Sequence, residues 1–209
     1  MKVLIVGATG GLGMEMVRRA PERGHEATAL ARDPSTVQGQ DERLRVVRGD
    51  VLDPASVESA VRGQDAVLSA LGTPNPRKTS TLLSEGTKNL VDAMKRNGVE
   101  RLVCVTILGT GDSGRRHGRR FYKLFVLGYF VKPMLEDKER QEVVIRQSGL
   151  EWTIVRPPRY TDEPESGNYR VITDSGGRIG KIGRKDLAGF MLDQLDDTSH
   201  VRRAVAVGY

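Results

Sequence analysis

Residues 1–13 read Met-Lys-Val-Leu-Ile-Val-Gly-Ala-Thr-Gly-Gly-Leu-Gly, and they leave little freedom in how the chain begins to fold. Residues 3–6 form an unbroken apolar run, the pattern of a parallel strand buried on both faces. Gly7, Gly10 and Gly13 follow at G-x-x-G-x-x-G spacing. From Leu12 the periodicity becomes helical, with Met16 and Val17 on the apolar side and Arg18, Arg19 and Arg23 on the polar side. A strand therefore turns through glycines straight into a helix N-terminus. Residues without a Cβ permit the sharp turn and the close approach of a ligand, while unpaired N–H groups and the positive end of the helix dipole attract a pyrophosphate. The alternative is a tight strand-to-helix turn that binds nothing.

A chain of 209 residues suits one domain with a full core. No segment reaches the roughly 20 apolar residues that a membrane span needs, and the first residues lack a signal-peptide profile, so the expectation is a soluble, cytoplasmic protein without an integral membrane segment. Cys104 is the single cysteine and lies in an apolar run, which excludes an internal disulfide and predicts a buried, inert thiol. Three scattered histidines and one cysteine make no metal-ligand set. The net charge of +6 favours anionic partners, and its one dense cluster is Arg115-Arg-His-Gly-Arg-Arg120.

Further along, Gly24 stops the first helix and residues 26–31 read as a second strand with Arg32 at its end. In dinucleotide folds this position meets the adenosine ribose, where a carboxylate suits the free hydroxyl of NAD and an arginine suits the 2′-phosphate of NADP. Asp33 follows Arg32, so both chemistries are present; Arg32, with Ser35 and Thr36 as hydroxyl donors, favours NADP, and an ordinary solvated arginine is the alternative. Residues 44–47 form a third strand, and Asp53-Pro54 caps a helix through Val57 and Val61. Asp50 either accepts from an adenine amino group, with Val51 adding a backbone contact, or only caps its turn. Residues 65–70 are a fourth strand ending at Leu71-Gly72-Thr73, where a glycine beside the first strand lets a cofactor pass. A helix over 79–97 stops at Gly98, and a buried fifth strand covers 101–108, its carboxyl end at Thr106 and Ile107 facing the nicotinamide. A helix over 134–147, a sixth strand over 152–155 broken by Pro157-Pro158, late strands over 169–173 and 201–207, and a helix over 186–195 complete the pattern. The alternation predicts a single α/β domain with a Rossmann-type, doubly wound, mostly parallel sheet, carrying 109–135 and 157–183 as substrate-side insertions.

Gly7-Ala-Thr-Gly10, Gly49-Asp-Val51, Gly63-Gln-Asp-Ala-Val67, Leu71-Gly-Thr73, Ser84-Glu-Gly86, Asp92-Ala-Met-Lys95, Ser148-Gly-Leu150, Pro157-Pro158 and Lys185-Asp-Leu187 together resemble the biliverdin IXβ reductase and flavin reductase group. That group belongs to the atypical short-chain dehydrogenase/reductases, close to the NmrA-like proteins, and the likeness covers nearly the whole chain. It implies an NADPH-dependent reductase of flavins or of tetrapyrroles such as biliverdin, with the flavin as substrate rather than prosthetic group. Carried over by position, the cofactor residues are Gly7, Thr9, Gly10, Gly11, Leu12, Arg32, Asp50, Val51, Leu71, Gly72, Thr73, Thr106 and Pro158. The chain departs from the family where Ile107 replaces a serine, Lys138 and Arg159 replace histidines, and Thr36 replaces a second basic residue for the 2′-phosphate.

Carbonyl reductases of the short-chain class use Tyr-x-x-x-Lys, but Val126, Pro133, Pro164 and Thr173 lie four residues after Tyr122, Tyr129, Tyr160 and Tyr169, and Tyr209 is the last residue. A planar conjugated acceptor spreads the incoming electron pair and needs mainly positioning, with its proton from solvent. Lys138, Arg159 and Tyr160 are the candidates to lend a proton or steady an anion, against the alternative of solvated rim residues. Ile107, Arg159 and Tyr160 stand on the substrate side. The Arg115 cluster meets substrate phosphate or propionates, or touches nucleic acid or a membrane surface, or is a solvated loop; the expectation disfavours nucleic acid. The aromatic run Phe121, Tyr122, Phe125, Tyr129 and Phe130 is a lid, a homodimer face or plain core. A second functional reading is a redox-sensing regulator that binds NADP(H) without turnover.

Overall fold

A computed structural model describes residues 1–39, 41–111, 132–173 and 179–209. The Arg115 cluster and the Phe121 to Phe130 run, with most of the expected 109–135 insertion, lie outside the described residues.

The strands are β1 (Lys2–Val6), β2 (Glu26–Ala31), β3 (Leu44–Arg48), β4 (Ala66–Ser69), β5 (Arg101–Val105), β6 (Glu151–Arg156), β7 (Tyr160–Thr161), β8 (Arg170–Ile172), β9 (Ile182–Gly183) and β10 (Arg203–Gly208). The helices are α1 (Gly11–Glu22), α2 (Pro54–Val61), α3 (Leu82–Asn97), α4 (Lys132–Arg146) and α5 (Arg184–Asp193), with a 3₁₀ turn at Pro34–Thr36. The main sheet runs β3-β2-β1-β4-β5-β6-β10-β8, parallel throughout except that β8 pairs antiparallel with β10. The single-domain, doubly wound α/β architecture read from the sequence is the one observed.

Alternation along each strand builds two cores, one on each face of the sheet. Val3 and Ile5 of β1, Ala66 and Leu68 of β4, and Val103 and Val105 of β5 point to the face covered by α1 and α5. Leu4 and Val6, Val67, Leu102 and Cys104 point to the face covered by α2, α3 and α4. On α1, Leu12, Met16, Val17 and Ala20 form the stripe that meets Leu187, Ala188 and Met191 of α5.

Two features depart from the sequence reading. Residues 157–183 contain a parallel two-stranded piece, with Tyr160 opposite Ile182 and Thr161 opposite Gly183. Helix α3 begins at Leu82 rather than near Thr79, because its amino end is capped from another helix: Asp137 of α4 accepts from Leu83 N at 2.9 Å, Ser84 N at 3.3 Å and Ser84 Oγ at 2.5 Å.

Helix α4 is built inside out. Its buried residues are Asp137, Lys138, Gln141, Glu142 and Ile145, while Val143 is half exposed. Its buried polar side chains are partnered from other elements: Gln141 Nε2 donates to Thr87 Oγ1 at 2.9 Å, although Gln141 Oε1 has no partner, and Glu142 is bridged by Arg156 through Nε at 2.9 Å and Nη2 at 2.5 Å. Thr106 Oγ1 and Thr110 Oγ1 also donate to Glu142, at 2.8 Å and 2.7 Å, which ties the chain beyond β5 to α4 and β6.

Candidate cofactor site

The sheet order reverses direction between β1 and β4, and at their carboxyl ends the crevice opens that such a switch point creates. Gly7 makes the turn with φ +77°, and its backbone lies so close to β4 that an added Cβ would stand 2.5 Å from the Ala70 carbonyl oxygen. Gly13 packs α1 onto the turn, since a Cβ there would stand 2.0 Å from Gly7 O. Gly10 is different: its Cβ would meet only Gly7 O at 3.4 Å, and the space beyond belongs to the cleft. No side chain caps α1, and its first turn holds no acidic residue. By contrast α2 is capped by Asp53. An uncapped helix end facing a cleft over bare glycine backbone fits a diphosphate, by both the orphan N–H groups and the dipole.

The cleft has a volume of about 390 Å³. Gly7, Thr9, Gly10, Gly11 and Leu12 form its floor, and Leu71, Gly72 and Thr73 its wall on the β4 side. Arg32, Asp50 and Val51 line the far end, and Tyr160 lines it from the carboxyl-terminal part of the chain. Eleven residues expected around a cofactor, with Tyr160 from the expected substrate side, converge on one cavity.

Details at the far end sharpen the reading of Arg32. Asp33, its acidic neighbour, accepts from Ser35 N at 3.1 Å and Ser35 Oγ at 2.7 Å, and these bonds hold its carboxyl below the usual range. The carboxylate is thus turned into the 3₁₀ turn, while exposed Arg32 lines the cleft. The Ser35 and Thr36 hydroxyls, expected to help hold a phosphate, are spent in that turn, Thr36 Oγ1 donating to Asp33 O at 2.6 Å. Asp50 caps its turn, accepting from Leu52 N at 3.0 Å, and also lines the cleft. The Val51 carbonyl is taken by Asn89 Nδ2 at 2.8 Å.

Five expected residues stand elsewhere. Thr106 is buried with its hydroxyl on Glu142, and the carbonyl of half-buried Ile107 accepts from Thr110 Oγ1 at 2.7 Å. Pro158 is buried, close to Gly208 of β10. Arg159 is exposed and contributes its carbonyl to Ile182 N at 2.9 Å. Lys138 is neither a rim residue nor turned to the cleft: it is 5 % exposed, and its Nζ donates to Leu71 O at 3.0 Å and Val105 O at 3.1 Å. Burial pushes its pKa down against the pull of Cys104, Glu142 and Asp137. The lysine clamps the carboxyl ends of β4 and β5 together. Nearby, burial pushes the Cys104 thiol up to about 11, so it is inert as expected.

A charged cleft residue escaped the sequence reading. Arg184 opens α5 and lines the cavity with its guanidinium over the Tyr160 ring, Cζ 5.6 Å from the centroid, and paired to Asp162. The available signal was its place: a cation at the first position of a helix opposes the dipole and needs another reason to be there.

This fold and this elbow define a dinucleotide-binding Rossmann protein. A sequence profile for a family described as NAD(P)H-binding matches residues 7–198, and the chain belongs to that family. It is 30% identical over 205 residues to an uncharacterised chloroplastic protein of Arabidopsis thaliana, covering 93% of this chain and 71% of that one. A short-chain dehydrogenase/reductase from Veillonella parvula, solved with NADP, superposes with a TM-score of 0.84 at 18% identity over 100% of this chain and 94% of the other. ChuY of Escherichia coli O157:H7, described as an anaerobillin reductase, superposes with a TM-score of 0.81 at 22% identity, over 100% and 97% of the two chains. Among the described residues, no helix is long and apolar enough to cross a membrane.

Proposed function

We propose that this protein is an NADPH-dependent reductase that delivers a hydride to a planar conjugated acceptor, a flavin or a linear tetrapyrrole taken as substrate, with the proton drawn from solvent. The observation that carries the cofactor assignment is one cleft lined by both an uncapped helix N-terminus and Arg32, one suited to a diphosphate and the other to a 2′-phosphate. When bound, the nicotinamide supplies the hydride. The chain's part is to hold and aim: Lys138 fixes the strand ends at Leu71 and Val105, and Tyr160 offers an aromatic wall at the mouth. The lack of a Tyr-x-x-x-Lys pair suits an acceptor that stabilises its own charge, and ChuY, a fold neighbour, is described as a reductase.

Stopped-flow mixing with NADPH and excess FMN, riboflavin or biliverdin tests the proposal through absorbance at the nicotinamide band. Multiple turnovers above the free-solution rate are expected, and none with any of the three acceptors would sink it. One observation favours a second reading: Lys138 is spent on backbone carbonyls, which removes a candidate proton donor from the cleft and equally suits a regulator that binds NADP(H) without turnover. Saturable NADP binding with no acceptor-dependent oxidation would select it.

A further inference from the structure

Arg184 occupies a position that gives it little structural reward. The dipole of α5 opposes it, no side chain caps that helix, and its ion-pair partner Asp162 is 86% exposed, a setting in which such pairs contribute little. Its aim is what stands out. A Cβ on Gly11 would lie 3.0 Å from Arg184 Nε and 3.2 Å from its Cδ, so the arginine extends from the start of α5 onto the first residue of the neighbouring helix α1. Gly11 has no left-handed backbone to explain its identity. The turn itself is made by Gly7 and the packing by Gly13; the residue at 11 is kept bare for Arg184.

We infer that Arg184 is the second half of the anion site: its guanidinium, set beside the uncapped amino end of α1 in the same cavity, binds the diphosphate of a dinucleotide. Asp162 takes Nη1, the Tyr160 ring supports the guanidinium plane, and the Nε edge faces the elbow. A helix end offers N–H donors and partial charge, and a guanidinium beside it adds a full charge and a fork that matches phosphate oxygens. The inference rests on the proposed cofactor reading and extends it to a residue that acts on the diphosphate whatever stands at the ribose.

Calorimetric titration of purified wild type, Arg184→Met, Gly11→Ala and the double variant with NADPH, NADH, ADP and adenosine 2′-monophosphate tests it, with thermal unfolding followed in parallel. Arg184→Met is expected to weaken NADPH, NADH and ADP alike by roughly tenfold or more, and to leave adenosine 2′-monophosphate unchanged. Gly11→Ala, which favours the helix, is expected to keep the melting temperature and still weaken the same three ligands, and the double variant to be no worse than Arg184→Met alone. Undiminished NADPH affinity in Arg184→Met, or a loss confined to ligands carrying a 2′-phosphate, overturns this inference and leaves the proposed function standing. Failure of the wild type to bind either dinucleotide overturns both.

Discussion

At the scale of the residue, the glycines of the elbow do three different jobs, and substitution separates them. Gly7 is required by a positive φ and by the Ala70 backbone, Gly10 by the ligand space above it, and Gly13 by the 2.0 Å that would separate its Cβ from a backbone oxygen that cannot move aside. Alanine at position 13 is overpacking against main chain, expected to cost about 2–3 kcal/mol, or a fall of roughly 4–12 °C in Tm for a domain of this size. Gly24 offers the comparison: its φ is +84° but nothing lies within 4 Å of a Cβ, so Gly24→Ala carries only the conformational cost, about 1–2 kcal/mol. Thermal unfolding by circular dichroism checks the ranking, and equal melting temperatures for the two variants would refute it.

At the scale of the element, most of the order was legible because strands and helices here announce themselves by local periodicity: β1, β2 and α1 were read to within a residue or two at either end. The failures share a cause. Helix α4 hides its charges and shows Val143, so a reading that sends polar residues to solvent put Lys138 at the cleft as a proton donor or on its rim, when it is a strut. What turns the helix inward are partners remote in sequence: the α3 amino end for Asp137, two strand-end carbonyls for Lys138, and Arg156 with two threonines for Glu142. The β7–β9 pairing escaped for the same reason, its strands being too short to carry a period and defined only by each other. The Glu142 node gives this a measurable form. Burial alone would raise the Glu142 pKa, but the hydrogen bonds and charge of Arg156, with Thr110 and Thr106, hold it below its ordinary value of 4.5. A carboxyl depressed on folding contributes stability that is complete above its unfolded pKa and lost as pH falls through the folded one. Glu142→Gln is therefore expected to cost about 3–5 kcal/mol near pH 7, where it takes the paired carboxylate away from the buried Arg156 guanidinium. The gap to wild type should narrow on acidification below about pH 4.5, in urea titrations run from pH 7 down to pH 3. A gap that stays constant across that range would show that the pair is not what Glu142 provides.

At the scale of the whole molecule, the sheet order brings distant stretches to one crevice: the elbow after β1, Arg32 after β2, Leu71 to Thr73 after β4, and Arg184 at the start of α5. These are separate pieces of chain held together only by the folded sheet, so a dinucleotide that touches them all binds the native state and has nothing comparable to bind in the unfolded one. Linkage then turns affinity into stability: ligand at 100 times its Kd adds about 2.7 kcal/mol, which for a domain of this size is a rise of roughly 5–11 °C in Tm. The charge at the far end of the cleft predicts a selective effect. Arg32 lines the cavity while its acidic neighbour is folded into the 3₁₀ turn, so a 2′-phosphate would meet a cation there and a bare ribose would gain no carboxylate from Asp33. At equal concentration NADPH should therefore raise the melting temperature more than NADH, and Arg32→Ala should erase the difference by lowering the NADPH shift to that of NADH. Equal shifts for the two dinucleotides in the wild type would mean that the diphosphate end of the cleft carries the binding and that Arg32 belongs to the solvent.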